Sequence, residues 1–239
     1  FMAAQNRVQD WKELKADADA VYDRVIDIDL GEIVAMVACP HSPDNVKKVS
    51  DIAGMKVDQV AVGSCTNASY RDLMTVAKIL KGKKVHPDIS FIVAPGSKQV
   101  FEMISRNGAL ADIIASGARI MESACGFCIG SGQAPVSKGI SVRTNNRNFE
   151  GRSGTKDAGI YLVSPETAAI TALKGVLTDP MTCAASEYPV VDMPDQFIID
   201  DSLVIPPSFD GAVMRGPHIG EPPFTEPMAD TLKGIIGLK

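Results

Sequence analysis

Between Val57 and Gly175 the chain repeats one grammar: a short apolar run, a polar turn, then apolar residues at helical spacing. Strands that alternate with helices in this way are the mark of an α/β fold. VDQVAVG (57–63) predicts a strand and ASYRDLMTVAKIL (68–80) a helix, with Tyr70, Leu73, Val76, Ala77 and Leu80 along one face. SFIVAP (90–95) repeats the strand, and Ser97 caps a helix that ends at Gly108. ISVRTN (140–145) and IYLVS (160–164) are further strands. A last helix is bounded by Ser164 as cap, Pro165 as first residue and Gly175 as stop.

The flanks read differently. Residues 1–24 are charged, with Val8, Trp11, Leu14 and Val21 at roughly helical spacing, and predict a surface helix or an arm. VIDIDL (25–30) alternates apolar and acidic residues, as an edge strand does. Residues 25–187 form the expected α/β domain. Eight of the 15 prolines fall after Tyr188, so 188–239 predicts an extended linker, because proline removes backbone donors and blocks helices.

Composition excludes several classes. A net charge of −5 without long runs of one sign argues against nucleic acid as a partner. The longest apolar stretch, Ile33 to Cys39, is far short of the roughly 20 residues that cross a bilayer. The N-terminal residues carry charge without an apolar segment and do not read as a secretory signal. An odd count of 5 cysteines suits a reducing compartment, so a cytoplasmic setting is expected.

The chemistry concentrates in the cysteines. Cys125 and Cys128 form a Cys-x-x-Cys within ESACGFCIGSG. Alone, that spacing suits a zinc half-site, a redox pair or two buried thiols equally. Cys65, in VAVGSCTNASY, falls at the C-terminal end of an expected strand and before a helix, where open α/β sheets bind ligands. A cubane that transfers electrons is normally held by four cysteines; three would leave one iron open to substrate as a Lewis acid. Cys39, ending an apolar run, and Cys183, following the last helix, read as structural.

RTNNRNFEGRSG (143–154) sets Asn145, Asn146, Arg147, Asn148 and Arg152 in one loop after a strand. Arginine forks bind carboxylates bidentately, so two in one loop among asparagines point to an anion. The glycines of GFCIGSG match neither dinucleotide nor P-loop spacing, and His41, His86 and His218 show no metal-ligand spacing.

Four segments in order, VGSCTNASYRDL, APGSKQVF, ESACGFCIGSG and TNNRNFEGRSG, closely resemble the third domain of the aconitase superfamily, over roughly residues 20–225. The resemblance implies a three-layer α/β/α domain with a mainly parallel sheet. It implies a [4Fe–4S] cluster on Cys65, Cys125 and Cys128, with Asn146, Arg147 and Arg152 near the cluster and substrate. It implies dehydration and rehydration of a tricarboxylate or hydroxy-dicarboxylate. GSCTNASYRDL and VMRGPHIG look most like aconitate hydratase, an enzyme of the tricarboxylic acid cycle; homoaconitase and the isopropylmalate dehydratase large subunit carry the same motifs. The other domains of such enzymes have no match in this chain. The expectation is therefore a cluster-bearing fragment, inactive alone, whose partners are the remaining domains. A structural zinc module is the alternative of another class.

Overall fold

A computed structural model describes residues 1–184, 189–202, 204–206 and 220. Contacts divide the chain into Phe1–Asp200 and Asp201–Lys239, and every helix and strand among the described residues belongs to the first unit.

Among the described residues seven strands make one sheet: β1 (Met36–Ala38), β2 (Val46–Lys48), β3 (Gln59–Gly63), β4 (Ser90–Ala94), β5 (Arg119–Ile120), β6 (Ile140–Arg143) and β7 (Gly159–Leu162). Their order is β2-β1-β7-β6-β3-β4-β5. The five from β7 to β5 run parallel, and β1 and β2 add an antiparallel edge. From β3 the chain moves outward to β4 and β5, then returns to the opposite side of β3 as β6 and β7. The C-terminal ends of β3 and β6 therefore flank a topological switch point, where open α/β sheets leave a crevice.

The described residues form four α-helices: α1 (Tyr70–Leu80) links β3 to β4, α2 (Lys98–Arg106) and α3 (Ala109–Ser116) link β4 to β5, and α4 (Pro165–Lys174) follows β7. Ser69 and Asp72 close the start of α1 as a capping box, which satisfies two backbone donors reciprocally. Ser164 caps α4, Pro165 opens it and Gly175 ends it, as the sequence predicts. α1 packs against α2, α3 and α4, and Leu73, Val76 and Leu80 are buried there with Val60 and Val62 of β3. Burying each such side chain contributes about 1.5–3 kcal/mol. Because side chains alternate along a strand, Ala61, Ile92 and Ala94 face the other way, where Phe127, Cys128 and Met121 cover them. The segment that carries the Cys-x-x-Cys is thus a packed layer on the second face of the sheet.

Several local expectations do not survive. VIDIDL forms no strand: Val25, Ile26, Ile28 and Leu30 are all exposed, and alternation without an adjacent strand edge yields no ladder. The antiparallel edge comes instead from β1 and β2. No α-helix forms over 8–24, where only Val8–Asp10 makes a 3-10 turn and the apolar positions find no core. Gly108 ends α2 but also opens α3, a helix the sequence reading passed over. Most of 207–239, including VMRGPHIG apart from Gly220, lies outside the described residues. Among the described residues, no helix is long and apolar enough to cross a membrane.

Candidate metal centre

The end of β3 is where the site begins. Gly63 lies under the Phe127 ring: a Cβ added there would stand 2.8 Å from Ala94 O and 2.8 Å from Phe127 Cζ, so only glycine lets the two approach. Ser64 follows at φ 104, left-handed backbone for a residue with a side chain, a conformation that costs about 1–3 kcal/mol and persists where surroundings enforce it. Its hydroxyl accepts from the N–H groups of Thr66 and Asn67, both at 3.2 Å. The tight turn leaves Cys65 exposed at the tip. Cys65 precedes the capped start of α1, and the Ser69 hydroxyl already takes the Asp72 N–H.

Thr144, just past β6, locks this turn to the next one. Its hydroxyl donates to Gly63 O at 2.8 Å and accepts from Gly63 N at 2.9 Å. Asn67 Nδ2 donates to Thr144 O at 2.7 Å. The loop beyond divides by role. Asn148 is fully buried and donates to Cys39 O at 2.8 Å and Ile160 O at 3.2 Å, which pins the loop to the sheet. Asn146 and Arg147 are exposed. Arg152 is half-buried, lies over the Phe149 ring at 5.5 Å, and its Nε is a buried donor with no acceptor among the described protein atoms.

The Cys-x-x-Cys loop is held from two sides. Phe127 opens a short 3-10 turn through Ile129 that presents Cys125 exposed and Cys128 buried. Gly130, at φ 86, brings this turn against the arginine loop, since a Cβ there would stand 3.0 Å from Ser153 Oγ. The result is one pocket of about 90 Å³, lined by Ser64, Cys65, Cys125, Cys128, Asn145, Asn146, Arg147 and Arg152. The six residues that the resemblance assigns to the site stand around it; of the other two loop asparagines, Asn145 lines it and Asn148 does not. Cys39 is buried in the core and Cys183 is half-buried against it; neither lines the pocket, nor do His41 and His86.

The electrostatics is that of a pocket ready for negative charge but unable to leave three thiolates uncompensated. Burial raises the Cys128 pKa, and Cys125 and, more weakly, Cys65 push the same way; Arg152 and Arg143 oppose them. Three thiolates here would repel one another unless a cationic centre lay between them. A single tetrahedral zinc at about 2.3 Å from each thiolate needs sulfurs within roughly 3.8 Å of each other. Among the described residues no group of three or more His, Cys, Asp or Glu side chains is already arranged around one ion. The three thiols that line one pocket, with the buried Arg152 Nε and the cationic wall beside them, suit a thiolate-held metal centre and an anionic ligand.

Sequence reasoning missed Ser64, Thr144 and Arg143. Arg143 ends β6 in the middle of the sheet, almost fully buried, and burial pushes its guanidinium down to about 10 against the opposing effect of Cys128. The available signal was an arginine at a position of the strand ISVR that alternation assigns to an interior face.

Comparison with known proteins shows the family of the chain. The aconitase family (aconitate hydratase) model matches residues 45–175. The chain is 40% identical over 181 residues to 3-isopropylmalate dehydratase large subunit 2 of Archaeoglobus fulgidus, covering 75% of this chain and 44% of that protein. It is 44% identical over 164 residues to the methanogen homoaconitase large subunit of Methanocaldococcus jannaschii, covering 68% and 39%. It is 43% identical over 175 residues to the homoaconitase large subunit of Thermus thermophilus, covering 73% and 41%. The chain spans less than half the length of these relatives.

Proposed function

From the premise that the chain belongs to the aconitase family, we propose that it is the cluster-bearing part of a hydro-lyase that dehydrates and rehydrates a hydroxy-acid. The observation that carries the reading is the meeting of Cys65, Cys125 and Cys128 with Arg147 and Arg152 at the switch point between β3 and β6. The substrate class moves with the relatives. Their names, isopropylmalate dehydratase and homoaconitase, favour a branched or homologous hydroxy-acid over citrate, and the expected place in the tricarboxylic acid cycle loses its support.

Cys65, Cys125 and Cys128 would hold a [4Fe–4S] cluster, with residues 25–187 as its domain. When bound, the cluster supplies one iron without a protein thiolate, a Lewis acid for the departing hydroxyl. Arg147 and Arg152 bind substrate carboxylates through paired N–H groups, and that orients the hydroxyl and neutralises charge. Asn146 offers an amide to a substrate oxygen. The turn at Ser64 and the lock at Thr144 hold Cys65 and the arginine loop in register, so the anion site and the thiols stay fixed relative to one another.

Among the described residues, those that line the pocket include no carboxylate or imidazole to take a proton from carbon. We assign that base to the part of the enzyme this chain does not span, along with the companion chain that the name "large subunit" implies for the relatives. Thiolate ligands and an oxygen-sensitive centre suit the cytoplasm.

The test is anaerobic reconstitution of the chain with iron and sulfide, followed by visible absorbance, EPR and labile-sulfide analysis. The wild type should take up about four irons and four sulfides per chain, and Cys65→Ser, Cys125→Ser and Cys128→Ser should each lose most of that signal. Stoichiometric zinc without labile sulfide, or no uptake by the wild type, overturns the reading.

A further inference from the structure

The second face of the sheet carries a polar group that the proposed reaction does not use. Arg143 is 1% exposed and lies between the sheet and the Cys-x-x-Cys loop. Its Nη1 donates to Phe127 O at 2.9 Å, and its Nη2 to Gln59 Oε1 at 2.7 Å and Gln133 O at 3.4 Å. Its Nε donates to Ser141 Oγ at 2.8 Å, and Ser141 Oγ donates in turn to Gln59 Oε1 at 2.8 Å. Every acceptor is neutral, and no carboxylate of the described residues pairs with it. Among the described residues, the ionisable group that acts on its guanidinium is the Cys128 thiol, which favours the charged form.

A buried, unpaired guanidinium is expensive, and such a group is kept where something offsets its charge. Its fork grips both ends of the segment from Phe127 to Gln133, whose first residue lies between the two thiols of the Cys-x-x-Cys. From these contacts we infer that Arg143 is a positioning residue: it fixes the Cys125–Cys128 loop on the sheet and supplies the buried counter-charge for the thiolates that loop presents. The first role belongs to the fork and the second to the charge, and the two can be separated. The counter-charge role rests on the proposed cluster; the loop role does not.

A positive charge beside a cluster favours the added electron, so its removal lowers the reduction potential. A fork that holds two loop carbonyls restrains the loop, so its loss speeds exchange of the amides of Ile129, Gly130 and Ser131, which bond to Gly126 O and Phe127 O. Three variants pull these effects apart. Arg143→Gln removes both charge and fork. Arg143→Lys keeps the charge and loses the fork. Gln59→Glu keeps the fork, because a carboxylate accepts the same hydrogen bonds; it gives up the Gln59 Nε2 bond to Ala134 O at 3.3 Å and neutralises the charge where it stands.

The experiment is hydrogen exchange on the apoprotein and a redox titration of the [4Fe–4S]2+/1+ couple on the reconstituted chain. Arg143→Gln should speed exchange of the three amides by about tenfold and lower the potential. Arg143→Lys should speed exchange and leave the potential near wild type. Gln59→Glu should leave exchange near wild type and lower the potential. General destabilisation would move both readouts together, so correlated changes across the three variants overturn the inference, as do wild-type values in all of them. If the wild type takes up no cluster, the proposed function and the counter-charge role fall together, and the exchange data alone decide the loop role. If Arg143→Gln does not fold, the contrast between Arg143→Lys and Gln59→Glu decides.

Discussion

Gly63→Ala is the sharpest test of whether the sheet end and the Cys-x-x-Cys loop form one packed unit. The added methyl would meet Phe127 Cζ at 2.8 Å, Phe127 Cε1 at 3.0 Å and Ala94 O at 2.8 Å. The ring can shift only by moving the turn that holds Cys128, and the carbonyl belongs to the β4 backbone. Overpacking of this kind costs about 1–3 kcal/mol. For a unit of this size each kcal/mol lowers Tm by about 2–4 °C, so Gly63→Ala should lose roughly 2–12 °C in thermal denaturation followed by circular dichroism. Phe127→Leu, which shrinks a ring that is 1% exposed, should cost about 1–2 kcal/mol by itself. Combined, the two should cost less than their sum by about 1 kcal/mol, because the smaller side chain vacates the space the methyl needs. Some penalty remains in the double variant, since Ala94 O does not move with Phe127. Strict additivity, or a Gly63→Ala protein as stable as the wild type, would refute the close approach on which the site geometry rests.

Other perturbations should be equally legible. Asn148→Ala leaves the buried carbonyls of Cys39 and Ile160 without that donor and should cost about 1–3 kcal/mol in urea unfolding. Cys39→Ser, in the core and off the pocket, should leave the iron and sulfide content after reconstitution at the wild-type value even where stability drops. Tyr161, raised above its usual 10.0 by burial and by Cys39, holds its proton longer in the fold than in the unfolded chain. The stability it contributes is complete below pH 10 and is lost as pH rises through the folded value, so Tyr161→Phe should weaken the alkaline destabilisation. The same variant should remove from the tyrosinate absorbance the step that burial raises above the usual 10.0.

How much was legible beforehand differs from element to element. α4 was read to the residue because Ser164, Pro165 and Gly175 act locally: a hydroxyl satisfies nearby N–H groups, a ring fixes φ, and a missing side chain permits the left-handed turn. VIDIDL had the right alternation and no strand, because a ladder needs a second edge and no local pattern reports whether one is near. α3 was hidden by Gly108, which serves two helices at once. The six residues proposed for the site stand out in the sequence because their motifs are compact and their chemistry is specific to side-chain type, and all six line one pocket.

The sequence by itself determined which side chains could serve: thiols at 65, 125 and 128, and amide and guanidinium groups at 146, 147 and 152. Their motifs are runs of neighbours, fixed by covalent order. Tertiary structure decided that these runs meet, because the strand order sends β4 and β6 to opposite sides of β3 and opens a crevice at the C-terminal ends of β3 and β6. It also decided the fate of Arg143. In the sequence that residue is one more cation beside a polar loop; in the fold it is enclosed beneath the cysteine turn, where its cost and its hold on that turn both follow from exclusion of water.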